Sequence, residues 1–299
     1  MADDSSIQVD ARRRLGGQLR QLREAAGLTL TTAGLRIRRS ESTLSRIEDG
    51  RVTVRQRDAA ALMNLYGLTD KASRAQLLEL ARQSAATAWW QRGGLADAVR
   101  PDVRPYIGLE DTATFIRAYE PQVVPGLLQT RAYAQAVIRA GTAGRDPARE
   151  AKMLELRMRR QDLLDRPEPP RLWVIAEEAA LRRPPGRAGV GVLRAQLEHL
   201  ISMCSRPRIT VQVLPLSKSC PVPGAGAFTI LRFANNTPGT GRGGPGLPDV
   251  VYTETLGRSS YLKRPADLDL YKRAADQLAA AAPSAGESLA ILRQILSQT

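Results

Sequence analysis

Six arginines, Arg36, Arg38, Arg39, Arg51, Arg55 and Arg57, flank a short run of small polar residues, Ser40, Ser42, Thr43 and Ser45, that also holds Glu41 and Arg46. Guanidinium groups pair with phosphate oxygens, and Ser, Glu and Arg side chains hydrogen-bond to base edges, so this set suits a nucleic-acid duplex. Elsewhere the chemistry is sparse. His199 is the only histidine; it lies beside Leu197, Leu200 and Ile201, and no Ser/Asp partner motif accompanies it for a triad. Glu177 and Glu178 follow an apolar run. They could bind a cation or act in acid–base chemistry, but adjacent residues rarely share one face, and acids at a helix N-terminus are the other reading. Gly186, Gly189 and Gly191 precede a helix without the Lys-Ser/Thr of a phosphate loop, and Gly239 to Gly246 likewise lacks that order. Cys204 and Cys220 are too few and too far apart for a metal knuckle or a disulfide framework. The sequence is therefore expected to hold no catalytic residue, no metal site and no cofactor.

Two short helices between Gly27 and Gly50 must position the polar run. Thr29 can cap the first, which carries Leu30, Ala33 and Ile37 on one face with Gly34 on the same side. Ser40 can cap the second, with Thr43 three residues on, while Leu44 and Ile47 form a buried stripe and Gly50 a stop. Glu41, Ser42, Ser45 and Arg46 are left facing outward. The pattern by itself fits a helix-turn-helix entering a major groove, or an ordinary helical hairpin with a solvated basic face.

The run LGGQLRQLREAAGLTLTTAGLRIRRSESTLSRIEDGR resembles the XRE (Cro/cI-like) family of helix-turn-helix repressors, and its spacing from Gly27 to Gly50 fits without a gap. The resemblance implies that Glu41, Ser42 and Arg46 read bases, that Ser40, Thr43 and Arg51 touch the DNA backbone, and that Ser45 does either. It also implies that Arg23 and Glu48 form a structural salt bridge. Arg38 stands where that family usually has the turn Gly, and Arg39 where an apolar residue usually packs.

Charge and length agree with a polyanion partner. The 299 residues carry 44 Lys and Arg against 30 Asp and Glu, a net charge of +14 with pI near 10.6, although enrichment in Arg, Ala, Gly and Pro also follows from a GC-rich genome. The excess is not confined to the first 85 residues, which hold 15 basic and 10 acidic side chains. With 43% apolar residues the chain can fill two cores. No run approaches a membrane span and no secretory signal is present, so the expected compartment is the cytosol.

In chain order, residues 1 to 11 read as a mobile polar arm, and the first helix starts near Arg14. Residues 1–70 are expected to be the DNA-binding domain, 71–88 a connecting helix, and 89–299 an α/β domain. Of the adjacent Trp89 and Trp90, one is expected to be buried and the other to sit at a contact. Arg100 to Ile107 reads as a linker. Thr130 caps a helix through Ala140, and a longer helix runs from Pro147 to Leu164. Five strands follow, at Leu172 to Ile175, Ile209 to Leu214, Ala227 to Phe233, Val250 to Thr255 and Ser260 to Leu262, with a helix over Val190 to Met203 between the first two. Asn235 to Pro248, with five glycines and three prolines, reads as a flexible loop. Helices over Pro265 to Ala282 and Ser284 to Ser297 close the chain. The fold class is thus α+β: an all-α helix-turn-helix domain, then a mixed α/β domain with about five strands.

The runs YEPQVVPGLLQTRAYAQAVI, RMRRQDLLDRPEPPRLWVIAEEAALRRPPG, ITVQVLP and DVVYTE resemble the C-terminal domain of unknown function that follows an XRE-type domain in many actinobacterial regulators, some of them antitoxin-like. That implies a transcription regulator that binds double-stranded DNA as a homodimer, with a small partner protein or a small-molecule effector at its second domain. An effector pocket is expected between the Tyr119 to Leu128 segment and the strand ends, with Glu110, Tyr119, Glu120 and Arg157 as its polar groups. An antitoxin that neutralises a small partner, and an enzyme targeted to DNA, are the alternatives.

Overall fold

A computed structural model of the chain describes residues 4–85, 89–142, 146–233 and 248–299. The described residues divide into two compact units, one made of the residues up to Arg92 together with Phe233 and Pro248, and the other of residues 93–232 and 249–299. The glycine-rich stretch 234–247, which holds all of the expected flexible loop but Pro248, lies outside the described residues.

Five helices form the N-terminal unit: α1 (Asp4–Ala25), α2 (Leu30–Arg36), α3 (Glu41–Glu48), α4 (Gln56–Leu65) and α5 (Lys71–Ala85). The helix begins at Asp4, where a mobile arm through residue 11 was expected. Ala11 is buried one turn before Leu15, so the apolar stripe of α1 extends further back than its leucines indicate. Leu15 and Leu19 share one core with Ala33, Leu44, Ile47, Leu62 and Met63, and Leu77, Leu80 and Ala81 of α5 are buried in it too. The segment expected to connect two domains is therefore part of this core.

The path between α2 and α3 is closed by backbone chemistry. Thr29 Oγ1 accepts from the Thr32 amide at 3.1 Å, and Ser40 Oγ accepts from the Thr43 amide at 3.2 Å, capping the two helices as their sequences require. At the end of α2 the Arg39 amide reaches back to the Gly34 carbonyl at 2.8 Å. Arg38 supplies the left-handed residue of this turn, at φ 55°, a conformation that costs an L-residue roughly 1–2 kcal/mol. A Cβ on Gly34 would stand 2.8 Å from the Arg39 carbonyl oxygen, so glycine there is a steric requirement of the turn.

Arg23 and Glu48 tie α1 to the last turn of α3. Arg23 Nε and Nη2 donate to the two Glu48 carboxylate oxygens at 2.7 and 2.9 Å, and Nη1 donates to the Leu28 carbonyl at 2.8 Å. Both residues are buried, and the hydrogen bonds to Glu48 raise the Arg23 pKa above its ordinary value. Gly16 lets α1 come this close, because a Cβ there would lie 2.5 Å from the Ile47 carbonyl oxygen.

The second unit holds α6 (Leu95–Ala98), α7 (Arg104–Thr112), β1 (Phe115–Glu120), α8 (Arg131–Thr142), α9 (Pro147–Arg160), β2 (Arg171–Glu177), α10 (Glu178–Arg182), α11 (Val190–Met203), β3 (Ile209–Leu214), β4 (Phe228–Arg232), β5 (Val250–Glu254), β6 (Ser259–Leu262), α12 (Pro265–Ala281) and α13 (Ala285–Gln298). Its sheet has the order β3-β2-β1-β4-β5-β6. β1, β2 and β3 run parallel, and β4, β5 and β6 are antiparallel to their neighbours. Five of the six strands fall where the sequence places them; β1 was not expected. Tyr119, Ile175, Leu214, Phe228 and Val251 form one face under Leu268, Ala275 and Leu278 of α12. On the other face Tyr106 of α7 stacks on Tyr252, with ring centroids 4.2 Å apart. The segment expected as a linker from Arg100 to Ile107 thus enters α7, and Tyr106 and Ile107 are buried. Trp89 and Trp90 are both buried as well, in a 3-10 turn over Trp89–Gly94, so neither is left exposed. In α13 Leu292 and Ile295 are buried.

Removing one partner of a buried ion pair strands the other charge. Glu48→Ala and Arg23→Ala are each expected to lower stability by about 3–5 kcal/mol, read from urea unfolding of the full chain.

Candidate functional site

The outer surface of α3 is built from the capped N-terminus upward. Ser40, Glu41, Ser42 and Arg46 are exposed and Thr43 and Ser45 half-buried, while Leu44, Ile47 and Glu48 face the core. Ser40 Oγ lies 3.0 Å from Ser42 Oγ and 2.8 Å from Thr43 Oγ1, a cluster of hydroxyls at the end of the helix that carries its positive dipole. Glu41 is braced from α2, since Thr31 Oγ1 donates to its Oε2 at 2.6 Å. That contact joins residues ten apart in the chain, and sequence reasoning missed it.

The arginines differ in how far they are engaged. Arg39 Nη2 donates to Asp58 Oδ2 of α4 at 2.8 Å, so an ion pair occupies the position where an apolar residue would pack. Arg51 lies 3.2 Å from Asp49, and Arg57 lies 3.4 Å from Asp58. Arg36, Arg38, Arg46 and Arg55 are exposed and form no ion pair among the described residues. Exposed pairs of this kind are worth little and exchange readily for phosphate.

In the C-terminal unit, Glu110 and Glu120 both act electrostatically on Arg157, and Tyr119 is not part of this set. Glu110 is buried and accepts from Arg160 Nε and Nη2, each at 2.7 Å, and from Tyr106 Oη at 2.7 Å. Arg157 Nη1 donates to Gln129 Oε1 at 2.9 Å. Burial raises the Glu120 pKa to about 8, against a lowering influence of Arg157 and with a further raise from Glu254. Burial also lowers Arg157 to about 10, with Arg160 acting in the same direction and Glu254, Glu120 and Glu110 opposing. Tyr119 is next to Glu120 on β1, and side chains alternate across a strand. It therefore points to the other face, where its hydroxyl donates to Glu177 Oε1 at 2.7 Å and lies 3.8 Å from Cys220 Sγ.

Glu177 and Glu178 part in the same way. Glu178 opens α10, pairs with Arg182 Nε at 2.6 Å and accepts from the Leu216 amide at 2.9 Å, and these contacts hold its pKa below the ordinary value despite burial. His199 is half-buried, and burial lowers its pKa. Gly186 takes φ 58° in a turn, and Gly189 caps α11. Cys204 and Cys220 are both free thiols. No group of three or more His, Cys, Asp or Glu among the described residues could hold a metal ion. None of their helices is long and apolar enough to cross a membrane. Two surface grooves flank α8: one of about 750 Å³, whose lining includes Ala136, Arg139, Gly186 and Arg187, and one of about 270 Å³ against Pro147 and Leu154. Neither is lined by Glu110, Glu120, Arg157 or Arg160.

Two capped helices joined by a left-handed turn, with a polar outer face on the second, define a helix-turn-helix DNA-binding protein. Residues 14–77 match the family described as a helix-turn-helix domain, and residues 103–294 match the domain of unknown function DUF5753. The second match covers well over half of the chain, so the chain belongs to the DUF5753 family and carries an XRE-like helix-turn-helix before it. No curated protein and no solved structure matches it.

Two tests follow from this geometry. Arg38→Gly is expected to keep or raise the urea midpoint, since relief of roughly 1–2 kcal/mol at positive φ outweighs the roughly 0.5–1 kcal/mol entropy cost of glycine. The Glu120 value of about 8, against an ordinary 4.5, means that the folded state binds more protons than the unfolded chain between those values. Stability is therefore expected to fall as pH rises from about 4.5 to 8 and to level off above; Glu120→Gln flattens that part of a pH series of unfolding midpoints.

Proposed function

We propose that this chain is a sequence-specific transcription regulator that reads its operator with α3 and controls its own or neighbouring promoters. The observation that carries the reading is the outer face of α3, where Glu41, Ser42 and Arg46 are exposed at a capped N-terminus, with Arg46 in no ion pair among the described residues. In this reading Glu41, Ser42 and Arg46 contact base edges, Ser45 contacts base or backbone, and Ser40, Thr43, Arg38, Arg39 and Arg51 contact phosphates. The residues to 70 act as the DNA-binding domain, extended by α5, and the residues from 89 onward respond to an effector or a partner and support a homodimer. The protein then acts in the cytosol, on the nucleoid. The residues brought together on one face of the sheet, Glu110, Glu120, Arg157 and Arg160, support an effector role for the second unit.

Arg46→Ala is expected to cost about 1–3 kcal/mol and to relax the preference at one base position, whereas Arg51→Ala weakens all sequences alike and lowers the salt slope by about one. Electrophoretic retardation on the DNA upstream of the chain's own gene, repeated over a salt series, reads both. Unchanged binding in both variants would overturn the assignment of α3. Footprinting on a two-fold symmetric site would support the dimer, and protection of a single half-site would count against it.

A further inference from the structure

Glu120 ends β1, the strand at which the sheet changes direction. The chain crosses from β1 to β2 and on to β3 on one side, and β4 lies on the other. Glu120 thus stands at the carboxyl end of β1, beside the carboxyl ends of the parallel strands β2 and β3, and the carboxyl ends of parallel strands are where α/β sheets commonly carry ligand sites.

The side chains at this point have unfilled bonding capacity. Among the described residues the Glu120 carboxylate accepts no hydrogen bond and belongs to no ion pair. Arg157 makes one hydrogen bond, to Gln129, and its other donors meet no acceptor among the described residues. The two groups are half-buried and act on each other electrostatically, yet no ion pair within 4 Å joins them. One turn further along α9, Arg160 shows the alternative, closing on Glu110 with two bonds of 2.7 Å. Neighbouring Arg100 is likewise engaged, with Asp102, Glu254 and Ser259. Without a close partner for either group, burial favours the protonated form of Glu120 and disfavours the charge on Arg157. A ligand placed between them with a cation at one end and an anion at the other supplies both missing partners and adds no net charge. A lone cation would leave Arg157 unsatisfied, and a lone anion would leave Glu120 so.

We infer that Glu120 and Arg157 bind a small zwitterion of the α-amino acid class, with its ammonium group on Glu120 and its carboxylate on the Arg157 guanidinium, as the effector of this regulator. The inference rests on reading the chain as a regulator. Arginine suits the carboxylate end because its planar fork presents paired donors, and the tendency of buried Glu120 to stay protonated is offset when an ammonium group arrives.

Isothermal titration of the full chain with each of the twenty genetically encoded amino acids tests it. At least one is expected to bind saturably at concentrations up to about 10 mM, and Glu120→Gln, isosteric and foldable, is expected to weaken it about tenfold or more, the weight of one charge-assisted hydrogen bond. The N-acetyl and the carboxamide forms of the binding amino acid are each expected to fail, since each lacks one charged end. Absence of binding by all twenty overturns the inference, as does binding that survives Glu120→Gln or N-acetylation. DNA retardation with the same preparation keeps the two readings apart. Arg46-dependent DNA binding without any amino-acid binding leaves the regulator standing and removes this site, whereas loss of both removes the regulator reading itself.

Discussion

The buried pair of Arg23 and Glu48 is the constraint on which the DNA-facing surface depends. Both charges leave water, and only close, two-bonded geometry offsets that cost; here Arg23 reaches both Glu48 oxygens and spends its remaining fork on the Leu28 carbonyl. The pair joins the first helix to the last turn of the third. It thereby fixes the rotation of α3, and the polar residues on its far side are presented outward as a consequence. Gly16 is the steric counterpart, since any side chain there would push the two helices apart.

A comparable division governs the second unit. β1 is a central strand, yet its six residues include Arg117, Tyr119 and Glu120. Arg117 and Tyr119 are each answered by a specific neighbour on their own face, and Glu120 is not. Arg117 lies over Trp173, 4.6 Å from its ring centroid, and donates to Asp276 and to the Ala275 carbonyl; Tyr119 donates to Glu177; Glu120 feels the charge of Arg157 without bonding to it. The alternation of a strand thus separates a satisfied, mostly apolar face under α12 from a polar one that gathers Glu110, Arg160 and Tyr106.

Features set by neighbours in sequence could be read in advance. Thr29 and Ser40 cap the helices they precede, and Val190 to Met203 is a helix with both ends as its sequence places them. β1 was hidden because a strand buried on both faces shows no alternation, and its charged residues argue against burial until their partners are known. The N-terminal turns of α1 were hidden because Ala11 is a weak apolar signal, and α5 because an amphipathic stripe does not say which core receives it. Trp89 and Trp90 were misjudged on helix or strand geometry, whereas they lie in a 3-10 turn. Of the polar residues expected to share a pocket, Glu110, Glu120 and Arg157 share a face and Tyr119 does not, since proximity along a strand places neighbours on opposite sides.

The sequence by itself determined the helix-turn-helix and the outward residues of α3, because caps and apolar period are local properties; the partnership of Arg23 with Glu48, 25 residues apart, was implied only by the resemblance to a known family. Only the tertiary structure decided that Arg38 would take the left-handed turn, that Asp58 would engage Arg39, that Thr31 would brace Glu41, and that Arg160 would close on Glu110 while Arg157 and Glu120 stayed apart. Those outcomes depend on which groups meet across elements distant in the chain. No local pattern encodes such meetings; they follow from how the helices and the sheet exclude water together.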